Sequence, residues 1–413
     1  MVRLRPAGFF LGVLSYVGLA CGFDAARAEE QPVRPKPAPT AAPSSGLDLS
    51  NFDYEINDGL YATVTCLSQI KNIPAPPETK ITLRQIEGFK RDLEVQAAWQ
   101  AGPAPLVVIL PGIFSKVKSP INQIWRAQLY AAGNHVLYFD SPFLPAFNER
   151  AHQGVAGNIE KEALQVAAML GAFLRQPDVR AKVTKLGVVG GSYGGNLALS
   201  LAKLCKEGKC AFTPDVFLVF SPLVKLQTTL SILDRYYSED RFLYDLSKLS
   251  ADLQDPKPLP RGAPIPFPAS EMRAGIGAYF RMDLKDVALY TDAVYRLKVL
   301  PPEEEVDYRK ASAEALSFSS FMEKMSFPYW KKRGAVSSLD QLSAFGDLTM
   351  LLPACPPTVK VVIAVDDPLN DPTEFEALKG IAPPGMLTVL PRGGHMGFII
   401  SKWAETRIVE LLK

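Results

Sequence analysis

The chain has 413 residues, 47% hydrophobic and 21% charged, with 45 Lys and Arg against 43 Asp and Glu. That length is enough to bury a large core, and so even a balance of charge leaves no basic footprint for nucleic acid. The numbers fit a globular protein built around one main domain.

In chain order, the first feature is a basic start, Arg3 and Arg5, followed by an apolar segment over 7–20 and the tripeptide Ala26-Arg27-Ala28. This pattern predicts a secretory signal peptide over 1–28, too short to span a bilayer. Its removal takes away Arg3, Arg5, Arg27 and Asp24 and leaves 42 basic and 42 acidic residues. The periplasm or the cell exterior is then the expected location. A rival reading makes Cys21, which follows Gly18-Leu19-Ala20, a lipid-modified membrane anchor, although Gly18 suits that signal poorly. Residues 29–48, rich in Pro, Ala and Ser, read as a flexible linker.

A strand is predicted over 106–110, ending at Pro111-Gly112-Ile113-Phe114, and another over 136–139. Ile159, Ala163, Val166, Leu170 and Phe173 recur at helical spacing before Pro177. The tract 186–195, L-G-V-V-G-G-S-Y-G-G, joins a β-branched run to glycines flanking Ser192 and then to a helix over 197–204. Gly190, Ser192 and Gly194 satisfy G-x-S-x-G, a sharp strand-to-helix turn that lifts a serine Oγ above a sheet. A Cβ on the flanking residues would crowd that turn. Residues 216–220 form the next predicted strand. Between Pro222 and Pro353 the pattern becomes helical, with helices predicted over 230–253, 269–281, 283–297, 311–324 and 337–352 and a proline-rich break over 256–268.

The apolar run 359–365 reads as a parallel strand buried on both faces, stopped by Asp366-Asp367-Pro368. Residues 387–390 are a further strand, followed by G-G-H-M-G around His395. His395 is one of only three histidines. His135, opening a buried strand, and His152, in a polar loop, both precede the serine and read as structural. Ser192, then an aspartate, then His395 make a nucleophile, an orienting acid and a general base in one order. Asp367 is the expected acid and Asp366 its competitor. No Cys/His cluster has metal-ligand spacing, and no cofactor is expected.

These residues resemble the α/β-hydrolase superfamily, whose triad runs Ser, Asp, His along the chain. The elbow falls on 190–195, the acid turn on 364–368 and the histidine loop on 393–397. G-G-H-M-G-F, with G-G-N after the elbow, looks like the esterase-like branch, and G-G-S-Y-G-G is equally at home in the prolyl oligopeptidase branch. The resemblance implies an α/β fold with a mostly parallel sheet flanked by helices, its core over 49–221 and 354–413. It also implies a helical lid at 222–353, whose aromatics Tyr236, Tyr237, Phe280, Phe327, Tyr329 and Trp330 either line a substrate pocket or form the lid's own core. The acid at the end of such a turn favours Asp367. The oxyanion hole is expected from the backbone N–H groups of Tyr193 and Ile113, with Pro111 standing where relatives usually carry a histidine.

The function expected is a serine hydrolase cleaving an ester or thioester of a small-molecule or acyl substrate through an acyl-enzyme. A peptidase or amidase of the same fold and a catalytically inactive binding protein are alternatives. A dinucleotide-binding oxidoreductase is the weakest reading, because the glycines do not fall as G-x-G-x-x-G. Cys205 and Cys210, flanking Lys-Glu-Gly-Lys, are expected to form a small disulfide loop after export, with Cys66 and Cys355 as a second pair by arithmetic alone.

Overall fold

The computed structural model describes residues 46–66, 74–151, 154–240, 265 and 267–413. The expected signal peptide with Cys21, most of the linker, His152 and most of the proline-rich break lie outside them.

Among the described residues there are eight strands, most of them runs of β-branched and apolar residues: β1 Thr79–Leu83, β2 Leu93–Ala98, β3 Ala104–Leu110, β4 His135–Tyr138, β5 Val183–Gly191, β6 Val216–Phe220, β7 Val359–Ala364 and β8 Leu387–Leu390. They make one sheet in the order β1-β2-β4-β3-β5-β6-β7-β8. β2 is antiparallel to β1 and β4, and every other pairing is parallel. A parallel sheet must be covered on both faces, and the side chains alternate accordingly. Leu106, Val108 and Leu110 of β3 enter one core, while Val107 and Ile109 enter the other.

The first face is covered by α3 Ile159–Leu174 and α4 Tyr193–Lys206, and the second by α2 Pro120–Ala131 and α9 Lys402–Val409. A short helix, α1 Gly59–Thr65, precedes the sheet, and α8 Pro372–Ile381 joins β7 to β8.

The described part of the segment between β6 and β7 is mostly helical: α5 Leu226–Asp240, α6 Ala269–Tyr295, α7 Val306–Ala315 and several single turns. Two helices were expected over 269–297, but α6 is one helix of 27 residues. No Pro or Gly stands between Arg281 and Asp283 to interrupt it, and it runs on to Arg296, which takes the left-handed conformation. The helix expected over 311–324 instead ends at Ala315. The chain restarts where the Ser317 hydroxyl accepts the Ser320 N–H, then widens into a π turn at Met322–Ser326. Asn196 on α4 ties both ends of the segment down. Its side-chain amide donates to the Leu223 and Gly346 carbonyls, each at 2.7 Å, and its oxygen accepts the Leu223 N–H at 2.9 Å.

Cys205 and Cys210 are disulfide-bonded across the end of α4. Cys66 and Cys355 do not pair, contrary to the arithmetic. Both are free and buried, one in each core, so the sheet separates them.

Candidate active site

β5 delivers Ser192 to the start of α4 with φ 55° and ψ −131°, a conformation that L-residues rarely adopt. The Phe220 carbonyl accepts the Ser192 N–H at 2.9 Å, and the Ser192 carbonyl accepts the Gly195 N–H at 2.8 Å. Two glycines make the turn possible. A Cβ on Gly190 would lie 2.3 Å from the Gly194 carbonyl oxygen, and one on Gly194 would lie 2.3 Å from that of Leu110. Neither space admits any side chain, because the obstacle is backbone.

His395, in the loop after β8, points Nε2 at Ser192 Oγ at 2.8 Å and Nδ1 at Asp367 Oδ2 at 2.9 Å. A carboxylate on Nδ1 holds the proton there and leaves Nε2 as the acceptor for the serine hydroxyl. The Asp367 side chain is only 1% exposed, and its Oδ1 accepts the Leu369 N–H at 2.9 Å. The competitor Asp366 does a different job: its Oδ1 accepts the Gly394 N–H at 2.9 Å and so holds the histidine loop. Burial pushes the Asp366 carboxyl above its ordinary range.

Ile113 and Tyr193 line one small apolar pocket with Phe143, Phe318, Phe321 and Met322. Among the described residues neither backbone N–H has an acceptor, and both remain free to donate. Phe114 packs against Phe280 and Phe318 of the helical segment, with ring centroids 6.5 Å and 6.1 Å apart, and Phe143 packs against Phe321 at 5.9 Å. Phe114 and Phe143 follow β3 and β4 at the carboxyl end of the sheet. Tyr329 and Trp330 are instead used as scaffold: they cover Gly154, and the Trp330 indole N–H donates to the Val155 carbonyl at 2.9 Å. A separate cleft of about 1170 Å³ runs between α5 and the acid turn and reaches Asp366 and Asp367 but not Ser192 or His395.

His135 is structural as expected, buried with Nδ1 accepting the Gln100 N–H at 3.0 Å. Two contributors were not visible in the sequence. Thr63 on α1 accepts the His395 N–H at 2.8 Å while its own hydroxyl donates to the Gly59 carbonyl at 2.6 Å. Glu162 on α3, 1% exposed, accepts the Tyr193 hydroxyl at 2.7 Å and the Gly157 N–H at 2.8 Å. Burial pushes its carboxyl up to about 7.

The serine turn after β5, the acid turn after β7 and the histidine loop after β8 stand on a mostly parallel eight-stranded sheet in Ser, Asp, His order. The fold is the α/β-hydrolase fold. No protein-family model and no curated protein matches the chain. Among solved structures it is similar to a hyperthermophilic esterase from the archaeon Pyrobaculum calidifontis, with 15% identity over 85% of this chain and 89% of that one and a TM-score of 0.45. A 2,6-dihydroxy-pseudo-oxynicotine hydrolase matches at 15% identity over 82% and 68% of the two chains, with a TM-score of 0.41. The Pyrococcus horikoshii acylaminoacyl peptidase matches at 11% over 83% and 41%, with a TM-score of 0.39.

Proposed function

We propose that the protein is a serine hydrolase that cleaves a carboxylic ester or thioester through an acyl-enzyme. The observation that carries this is the hydrogen-bonded chain from Ser192 Oγ through His395 to Asp367, at 2.8 Å and 2.9 Å. His395 Nε2 takes the Ser192 proton as Oγ bonds to the substrate carbonyl carbon, and the oxygen gains negative charge facing the Tyr193 and Ile113 amides. Collapse expels the alcohol or thiol, which receives the proton from His395. Water then repeats the sequence on the acyl-Ser192 ester and releases the acid. Asp367 keeps the imidazole oriented and balances its charge when it is protonated.

In this reading the helical segment between β6 and β7 is a lid. Phe318 and Phe321 form an apolar wall beside the oxyanion amides, suited to an acyl or aromatic substrate group, and closing such a site excludes water. The reading also has the chain exported, since a Cys205–Cys210 disulfide persists in oxidising compartments. Among the described residues no helix is long and apolar enough to cross a membrane.

The test is a panel of short and long acyl esters, thioesters and peptide amides with the wild type and Ser192→Ala. Turnover of esters that Ser192→Ala abolishes supports the proposal. Turnover of amides alone would replace it with a peptidase or amidase, and no turnover of any class would leave a binding protein.

A further inference from the structure

Glu162 is a carboxyl in the interior of the larger core, 1% exposed, with no basic partner among its described hydrogen bonds. Burying an acid without a countercharge is costly, and an apolar residue at the same helical position would pack there at no such cost. Its effect has to be sought in what it holds. One oxygen holds the Tyr193 hydroxyl, and the other holds the Gly157 amide.

Tyr193 follows the strained Ser192 directly, and only the rotations about N–Cα, Cα–Cβ and Cβ–Cγ separate its peptide N–H from its ring, so a held ring restrains the amide. The ring is 1% exposed and packs edge-on to Phe143, with centroids 5.7 Å apart. Phenylalanine would fill that space as well, so the hydroxyl adds nothing to packing. It adds a tether. On the other side, Gly157 lies in a stretch gripped by the π turn of the helical segment. The Ser326 hydroxyl donates to the Ala156 carbonyl at 2.8 Å, and a Cβ on Gly157 would lie 2.7 Å from Met322 Sδ.

We propose that Glu162 is a positioning residue that acts through Tyr193: by holding the tyrosine hydroxyl it fixes the backbone amide that receives the oxyanion. The proposal rests on the reading of Ser192 as nucleophile. Its carboxylate also joins that amide to the 154–158 stretch against which the lid packs. A misplacement of the donor by a fraction of an ångström weakens the transition state more than the bound substrate, so the effect belongs in kcat rather than KM.

The experiment is a double-mutant cycle with Glu162→Met, which keeps the length of the side chain and removes its carboxyl oxygens, Tyr193→Phe and both together, with rates taken per site titrated to completion by a fluorophosphonate, so that only folded, reactive sites are counted. Each single variant is expected to lose roughly tenfold in kcat with KM within about twofold of wild type. The double variant should be no slower than the slower single, because both remove one link. Wild-type kcat in either single variant, or losses that multiply in the double, would overturn the proposal. Its failure is distinct from failure of the hydrolase reading, which would show as a wild-type protein that neither turns over ester nor takes the label.

Discussion

Thr63 and His395 stand 332 positions apart in the chain, yet the threonine hydroxyl accepts the histidine's backbone N–H at 2.8 Å. The helix that carries Thr63 lies so close to the site that a Cβ on Gly59 would fall 1.8 Å from the Asp366 carbonyl oxygen. Cys66, at its end, donates its thiol to the Met396 carbonyl at 3.1 Å. The amino-terminal helix is thus a brace behind the histidine loop.

Thr63→Val keeps the shape and removes the acceptor, leaving the buried His395 N–H unpaired at about 1–3 kcal/mol. The expected result is a loss of roughly tenfold in kcat, with Thr63→Ser close to wild type. Equal rates for the valine and serine variants in steady-state kinetics would show that the brace does not matter to turnover.

The two neighbouring aspartates should separate cleanly. Asp367→Asn disrupts the histidine tautomer and is expected to lower kcat roughly 10³–10⁴-fold. Asp366→Asn keeps an oxygen for the Gly394 N–H and replaces a carboxyl already pushed toward its neutral form by burial; its loss should stay within about tenfold. The opposite ranking would move the orienting role to Asp366.

Backbone strain at Ser192 is open to a stability measurement. Ser192→Ala and Ser192→Gly both delete the hydroxyl, but only glycine tolerates φ 55° without cost. Relief of about 1–3 kcal/mol of strain outweighs the smaller entropic penalty of glycine in the unfolded chain. Denaturant titration should therefore find the glycine variant more stable than the alanine variant by about 1 kcal/mol. A less stable glycine variant would mean that the turn is not strained.

Glu162 should leave a mark on the pH dependence of stability. Its carboxyl titrates near 4.5 when unfolded and at about 7 when folded, so between those values the folded state binds more protons. Its contribution to stability is then present below about 4.5 and is lost as pH rises through about 7. Glu162→Gln should remove that part of the slope in unfolding free energy measured from pH 4 to 8. An unchanged slope would place the carboxyl in a better-compensated setting.

Six of the eight strands were legible because a sheet buried on both faces needs long apolar, β-branched runs, and β6 and β8 fall where residues 216–220 and 387–390 predict them; β1 and β2, at the antiparallel edge and partly exposed, lack such runs and were not predicted. Ser192, Asp367 and His395 were legible as candidates because each follows such a run. Asp366 and Asp367 are alike by composition, and only the direction of each side chain separates the residue facing His395 from the one facing Gly394. Thr63 carried no signal: it lies on a seven-residue helix before the sheet, and its partner is at the far end of the chain. Glu162 was hidden for another reason, since an acid in the first turn of a helix ordinarily interacts with the helix dipole and solvent. The helical segment misled at its boundaries because helical periodicity does not say whether a helix stops at Met282 when no Pro or Gly marks it.

The most direct measurement for the account as a whole is mass spectrometry of the protein treated with a fluorophosphonate. One adduct per chain is expected, on the peptide that carries Ser192, with none on Ser192→Ala protein of the same fold. A folded wild-type protein that takes no adduct at Ser192, or Ser192→Ala protein that still cleaves ester at the wild-type rate, would contradict it.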